Sequence, residues 1–442
     1  MLKVGCHGHG FAWPCLRDDR STATQSRHRG TLKQAGFSGQ PLNLMPLIRS
    51  TKSVVALRLN RDLARTIKRG HPWVYADALR DLPRATSGSC AVLLDNRKGQ
   101  PIAVGFYDPS SPLAFRVCDT DGGTVLDDRW AERRLRDALT LRRAMFDETT
   151  TGYRLLNGEG DSTPGLVVDV YGDTAVLKLD GDGPSGFWDA SGIAEWLAHS
   201  LDLRCVYERR KERGSEGRVV FGLAPKHPVP FVEHGLKFTA DVMRGQKTGF
   251  FLDQRDNRQQ IQRLARGRSV LNLFAYTGGF SVAAGCGGAQ RVTTVDLARP
   301  AIDAAIEHWR INDLPESHHE ALAADAFEFL TQAAEQRRRW DVVVVDPPSF
   351  APNQESVAKA RSAYQTLIAG AARVTTRGGL LAAASCSSHI DLAQFLVLCE
   401  EGVSDARRRG TVLEIHGQPA DHPSPLALPE FRYLKFVLLR VD

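Results

Sequence analysis

From about Asp241 onward the sequence predicts an open α/β fold with a mostly parallel sheet, preceded by two smaller modules. Three observations carry this expectation. β-like apolar runs at residues 269–274, 291–295, 341–345 and 380–385 are each followed by a helical stretch, and such alternation specifies a parallel sheet with helices on both faces. The stretch after Pro300 places Ile302, Ala305, Ile306 and Trp309 at helical spacing, with the proline suited to a first turn. Three segments also end abruptly in small, polar or proline residues: VLNLFAYTGGF (270–280), DVVVVDPPSF (341–350) and AAASCSS (382–388). Ligands bind at strand ends in such sheets, so these tips mark the candidate site. VLEI and FRYLKFVLLRV supply two further strands. No helix separates the last of them from the C-terminus, so an antiparallel edge strand is expected there.

The elements ahead of this sheet are shorter. VVALRL, CAVLLDN, PIAVGFYD and LAFRV, separated by Gly, Pro and Asp, read as strands of a small all-β module. The module holds a basic cluster of Arg58, Arg61, Arg65, Lys68 and Arg69, followed by GHPWVY (70–75). Arg58, Arg65, Lys68 and Arg69 suit a phosphate backbone, with Trp73 stacking on a base. The bland alternative is a solvated basic face with Trp73 in the core. Residues 127–147 read as a charged connecting helix with an irregular stripe of Trp130, Leu135, Ala138, Leu139, Leu141 and Met145. GLVVDVYGDTAVLKL (165–179) reads as a hairpin turning at Gly172-Asp173. A helix near 188–200 and strands around 205–207, 219–221 and 236–240 complete an α+β segment without paired carboxylates, a metal cluster or a nucleophile signature. The expected division is a disordered or extension tail over 1–52, a β module over 53–126, a linker helix with α+β domain over 127–240, and the α/β domain over 241–442.

A chain of 442 residues exceeds one ordinary core. Hydrophobic residues at 42% and charged residues at 24% fit a soluble globular class, and no apolar run approaches the roughly 18–20 residues that span a membrane. The eight cysteines are scattered, without CxxC or zinc-ligand spacing. Free thiols, no metal and a cytoplasmic location are expected. The net charge of +6 is carried by residues 1–52, which contain eight Lys/Arg against Asp18 and Asp19; the remaining 49 basic and 49 acidic residues cancel. Nucleic-acid affinity must therefore come from local patches. The first 44 residues, rich in Gly, Ser, Arg and His, read as a tail or as an extension upstream of Met45. A transit peptide is disfavoured by Asp18-Asp19 and the lack of an amphipathic helix.

The first tip is a strand, a tight turn and a helix starting near Phe280. Gly278 and Gly279 let the backbone turn and approach a ligand. Asp296 ends the next strand, where a carboxylate accepts hydrogen bonds from ribose hydroxyls. Asp325 follows a third strand region at 321–324 and is placed for an adenine amino group. A dinucleotide cradle would need G-x-G-x-x-G, but Phe274, Ala275 and Tyr276 occupy its first positions. S-adenosylmethionine has ribose and adenine but no phosphate, and fits better. Asp346-Pro347-Pro348 forms a rigid corner that can hold a flat base against a methyl donor. Asp346 is therefore the second catalytic candidate beside Cys386.

Cys386 lies past a strand in Ser385-Cys386-Ser387-Ser388, whereas Cys399 shares a helical stripe with Leu392, Phe395 and Leu396 and reads as core. A thiolate adding to carbon 6 of a pyrimidine turns the ring into an enamine, so that carbon 5 attacks a methyl group. A base must then remove the carbon-5 proton, and the sequence does not show which group that is. The thiolate needs nearby positive charge or oriented dipoles.

These residues resemble the RlmI-like family of class I S-adenosylmethionine-dependent methyltransferases, which modify cytosine at carbon 5 in large-subunit rRNA. The resemblance covers roughly residues 53–442. GHPWVY is similar to the family's PUA domain, NGEGDSTPGLVVDVYGD (157–173) to its central domain, and KTGFFLDQRDNR (247–258), NLFAYTGGFS, DPPSF and SCSS to its catalytic motifs. It implies a Rossmann-like methyltransferase domain with an N-terminal PUA-like domain and a central α+β domain. It implies a cofactor pocket from Phe250, Asp253, Gln254 and Arg255 with Asn272, Phe274, Tyr276, Asp296, Asp325 and Asp346, to which Gly278, Gly279 and Pro347 are added. It implies Cys386 as nucleophile and rRNA as partner; a homodimer stays open. Three rivals remain. An amino-group methylase is disfavoured because Ser349 separates the prolines from Phe350; an rRNA guanine-N7 enzyme with a DPP-plus-Phe motif needs no thiol and stays open, with Cys386 arguing for carbon 5. A non-catalytic RNA-binding or ribosome assembly factor would keep only the fold. An NAD-dependent oxidoreductase lacks its cradle.

Overall fold

The structure, a computed structural model, describes residues 45–49, 53–209, 217–351 and 354–442. The readings of residues 1–44 fall outside these. Residues 45–49, assigned from the sequence to the tail, are docked instead. Leu47 and Ile48 are buried, the Leu47 amide donates to Asp128 Oδ1 at 2.8 Å, and Ile48 bridges to Trp188. Two apolar side chains find a core here, which the surrounding composition hid.

The first module contains β1 (Val55–Arg58), α1 (Ala64–Lys68), β2 (Trp73–Val74), β3 (Ser89–Leu94), β4 (Pro101–Tyr107) and β5 (Phe115–Asp119). They form one sheet in the order β1-β3-β4-β5-β2, with β1 parallel to β3 and the rest antiparallel. Its core is Leu57, Leu59, Ile67, Leu93, Tyr107 and Phe115. Four strands match the β-like runs of the sequence. The basic stretch folds as α1, which buries only Ile67.

Next come α2 (Asp128–Met145), β6 (Gly152–Asn157), β7 (Leu166–Tyr171), β8 (Thr174–Leu179), α3 (Asp182–Phe187), α4 (Ala190–Leu201), β9 (Cys205–Arg209) and β10 (Arg218–Gly222). Asp127 caps α2, its carboxylate accepting from the Trp130 amide at 2.8 Å. The sheet order is β10-β9-β8-β7-β6, with the β7–β8 turn at Gly172-Asp173 as expected. Trp130 and Trp188 stack at 5.9 Å in the core beneath α2 and α4, while Leu141 faces solvent. A hairpin of β11 (Val229–Glu233) and β12 (Leu236–Ala240) follows. Its turn residues His234 and Gly235 both have positive φ, the geometry that suits strand twist in a two-residue hairpin. It packs Phe231 and Phe238 against Tyr171 on one side and Phe250 and Val282 on the other.

The last module runs α5 (Arg255–Leu264), β13 (Ser269–Leu273), α6 (Gly279–Cys286), β14 (Arg291–Asp296), α7 (Arg299–Ile311), β15 (His319–Ala323), α8 (Ala326–Glu335), β16 (Trp340–Val345), α9 (Val357–Val374), β17 (Thr375–Ser385), α10 (Leu392–Asp405), β18 (Gly410–His416) and β19 (Lys435–Val441). The sheet order is β15-β14-β13-β16-β17-β19-β18. Alternate residues face opposite cores, as strand pleating requires. Leu271, Leu273, Val343 and Val345 pack with α8, α9 and α10, while Val270, Val342 and Val344 pack with Ile261, Phe280 and Trp309. The strand order reverses between β13 and β16, and the crevice beyond such a switch point is where ligands bind. One expectation needs correction. β19 is antiparallel, but it lies between β17 and β18 and is no edge. Its KFVLLRV run is buried at six of seven positions, whereas β18 is exposed throughout. The more apolar strand takes the inner place because both its faces must be covered.

Candidate active site

The three strand tips converge on one cavity of about 550 Å3 at the switch point. It is lined by Phe274, Tyr276 and Gly279 after β13, Asp296 after β14, Asp325 before α8, Asp346 and Pro347 after β16, and Cys386 after β17. Phe250, Asp253 and Gln254 close it from the segment before α5. The backbone past β13 is unusual. Phe274, Tyr276 and Gly278 all have positive φ, at 56°, 48° and 78°. Bulky residues in this region cost roughly 1–3 kcal/mol each and cluster at functional sites. The conformation is held by the Ala275 amide donating to Val295 O at 3.0 Å and the Tyr276 amide donating to Asp296 Oδ2 at 2.8 Å. Asp325 caps α8, its Oδ1 accepting from the Phe327 and Glu328 amides.

Three of the sequence-derived cofactor residues do not line the cavity. Arg255 turns away and forms a buried pair with Asp421, Nη2 to Oδ1 at 2.5 Å. It begins a helix, where neighbouring residues point in different directions. Asn272 lies one pleat below the tip under α6, with Nδ2 donating to Ser281 Oγ at 2.9 Å. Gly278 serves as the left-handed N-cap of α6, where a Cβ would stand 2.7 Å from that of Ala305. It shapes the turn without lining the cavity.

The electrostatics of the cavity divide its carboxylates. Burial opposes ionisation of Asp253. The Lys247 ammonium at 2.6 Å and the Tyr433 hydroxyl, which donates at 2.7 Å, outweigh it and hold the carboxyl well below its ordinary range. Asp346 is only partly exposed to the cavity; burial and then the Asp253 charge push its carboxyl up to about 7. Burial and then Asp346 push the Cys386 thiol up to about 11, with Lys247 and Lys435 pulling against them. Next to Cys386, Ser387 Oγ sits 3.1 Å from both Ser349 Oγ and the Tyr364 hydroxyl, fixing the turn. Lys247, Tyr433 and Lys435 were not singled out from the sequence. The available signal for Lys435 was a lysine inside an apolar strand.

The residues fit an adenosine-bearing cation better than a dinucleotide. Among the described residues, each cation lining the cavity already has a partner, Lys247 with Asp253 and Arg258 with Glu233, so a pyrophosphate would meet no free positive charge from them. Asp253 Oδ1 and Thr277 Oγ1 are buried without a protein partner among the described residues, and Asp296, Asp325 and Asp346 line the walls. A second, more open cavity of about 680 Å3 adjoins, sharing Leu434 and including Lys435, His416 and Arg432.

The basic stretch is split. Arg65, Lys68 and Arg69 are exposed on and beside α1. Arg58 is half-buried and donates to Arg97 O at 3.1 Å. Trp73 is neither a free stacking platform nor a core residue of its own sheet. Its Nε1 donates to Glu159 Oε1 at 2.8 Å, and its ring meets Phe431 edge-on at 5.7 Å. It joins the first module to the other two. Tyr75 is the exposed aromatic here.

Comparison with known proteins agrees with this geometry. Residues 193–423 match the S-adenosylmethionine-dependent methyltransferase family, and residues 57–120 match a PUA-like domain. A ribosomal RNA large subunit methyltransferase from Deinococcus radiodurans is 37% identical over 411 residues, covering 87% of this chain and 97% of its own. Ribosomal RNA large subunit methyltransferase I from Photobacterium profundum is 35% identical, covering 84% and 95%. A solved structure assigned as a SAM-dependent methyltransferase from Streptococcus mutans covers 88% of this chain and all of its own at 23% identity and a TM-score of 0.75; another, complexed with SAH, does so at 24% and 0.77. These two speak to the fold alone. The chain is an enzyme of the S-adenosylmethionine-dependent methyltransferases, in the family of the large-subunit ribosomal RNA methyltransferases, and S-adenosylmethionine is its cofactor.

Proposed function

We propose that this enzyme methylates carbon 5 of a cytosine in large-subunit rRNA, with Cys386 as covalent nucleophile. The observation that carries the reading is Cys386 lining the same cavity as Asp346 and Pro347. The relatives' names support the rRNA substrate. Asp296 would hold the ribose, Asp325 the adenine edge, and Phe274 with Phe250 the apolar walls. Bound S-adenosylmethionine supplies an electrophilic methyl group.

The chain's own residues divide the remaining work. The Cys386 thiolate adds to carbon 6, and the ring electrons move toward nitrogen 3. Asp346, with its carboxyl near 7, is protonated often enough to donate a hydrogen bond to that nitrogen. Pro347 keeps the corner rigid. After carbon 5 has gained the methyl group, a base takes its proton, the electrons of that C–H bond re-form the carbon 5–carbon 6 double bond, and the carbon 6–sulfur bond breaks to release the thiolate. The first module, over 53–126, would contact rRNA phosphates through Arg65, Lys68 and Arg69, the central segment over 127–240 would hold it against the catalytic module over 241–442, and the open cavity beside Leu434 would admit the target nucleotide. The proposal is made for a single chain.

Cys386→Ala tests the covalent step. Methyl transfer to in vitro transcribed large-subunit rRNA is expected to fall at least 1,000-fold (on the order of a lost nucleophile), with cofactor binding by calorimetry preserved. Undiminished transfer would favour the guanine-N7 or another non-covalent reading.

A further inference from the structure

Lys435 is a buried ammonium outside the catalytic roles assigned above. It opens β19, directly opposite Ser385 in the β17 register, and is 5% exposed. Its Nζ donates to Ser387 O at 2.6 Å and to Tyr433 O at 2.8 Å. The ammonium is therefore bonded to the backbone on one side of Cys386 and carried opposite the residue on the other. Burying a lysine without a counter-ion costs several kcal/mol, yet among the described residues Lys435 forms no salt bridge. Two carbonyls use two of its three donors.

The groups facing Cys386 come from four places in the fold. Asp346 arrives from β16, Asp253 and Lys247 from the segment before α5, the Tyr364 hydroxyl from α9, and Lys435 from β19. Asp391, the N-cap of α10, faces Lys435 from the other side. Lys247 is neutralised by Asp253 at 2.6 Å. Asp346 opposes a thiolate. Lys435 is thus the cation near Cys386 that, among the described residues, has no carboxylate at salt-bridge distance, Asp391 acting on it only from farther away. Burial outweighs the opposing fields of Cys386 and Asp391 and leaves its ammonium lowered to about 8, so thiol and amine titrate as a pair.

We propose that Lys435 is a positioning residue whose ammonium favours the Cys386 thiolate when it attacks. The proposal rests on Cys386 being the nucleophile. A purely structural role, stapling the 385–388 turn through the Ser387 carbonyl, is the competing reading, and the two differ in what charge does.

The experiment follows iodoacetamide alkylation of Cys386 against pH in the full-length enzyme, read by peptide mass spectrometry. Alkylation reports the thiolate and not turnover. Lys435→Gln keeps N–H donors for the carbonyls but loses the charge; Lys435→Met loses both. Thermal melting and cofactor binding establish that each is folded. Both variants are expected to move the alkylation midpoint upward by about one pH unit, a roughly tenfold lower thiolate fraction at pH 8 (an opposite charge within a few Å shifts a pKa by about 1–3 units). Lys435→Arg should stay near the unaltered enzyme. A Lys435→Gln midpoint equal to that of the unaltered enzyme overturns the proposal and leaves the staple. Because the readout is alkylation, that result is separable from failure of the covalent mechanism, which Cys386→Ala reports by itself.

Discussion

Asp346 is the residue whose environment makes the most specific demand. A carboxyl raised to about 7 binds its proton more tightly in the folded protein than in the unfolded chain, where its ordinary value is 3.8. Stability from this group is therefore complete below that ordinary value and declines as pH rises, levelling above about 7. Asp346→Asn removes the titration. The melting temperature of Asp346→Asn relative to the unaltered enzyme should climb between about pH 5 and 7 and then flatten; parallel curves would show that Asp346 is not held protonated. At this scale the sequence was readable where a residue's neighbours in the chain are also its neighbours in space. Cys386 and Asp346 stood out from their strand-end motifs. Lys435 did not, because its partner Ser387 is separated from it by α10, β18 and a long loop.

At the scale of elements, continuous apolar runs and intervening helices made the parallel sheet legible, and the tips that form the cavity were read correctly as tips. Facing direction was harder. Asp253 and Gln254 point into the cavity while Arg255, the next residue, points to Asp421, a difference set by where α5 begins. The place of β19 was also hidden, since strand order depends on tertiary burial and not on chain order. The turn into α6 carries a testable consequence. Gly278→Val puts a β-branched residue at φ 78° with its Cβ 2.7 Å from Ala305. We expect destabilisation of about 2–4 kcal/mol in denaturant melts, the sum of a left-handed penalty and overpacking, and weaker cofactor binding as the start of α6 shifts. Unchanged stability would show that α6 and α7 can separate at that point without cost.

At the scale of the molecule, buried ion pairs join the modules. Glu159 accepts from Trp73 and pairs with Arg116, tying the first sheet to the central segment. Arg142 pairs with Asp161 at 2.6 Å and donates to Asp421 O, and Asp421 in turn pairs with Arg255 and accepts from the Arg154 amide. These links were invisible in the sequence because each spans many residues; Trp73, read there as an RNA contact, belongs to them. Under the proposed function, such a frame would let one rRNA segment meet Arg65, Lys68 and Arg69 as well as Cys386. The central claim is covalent capture of a cytosine by Cys386. It is tested most directly with an rRNA fragment containing 5-fluorocytidine, in which carbon 5 carries no proton to lose once methylated. With S-adenosylmethionine present, a denaturation-resistant enzyme–RNA adduct should form, mapping to the peptide that carries Cys386 and missing from Cys386→Ala. Methylated fragment without any adduct would contradict the account.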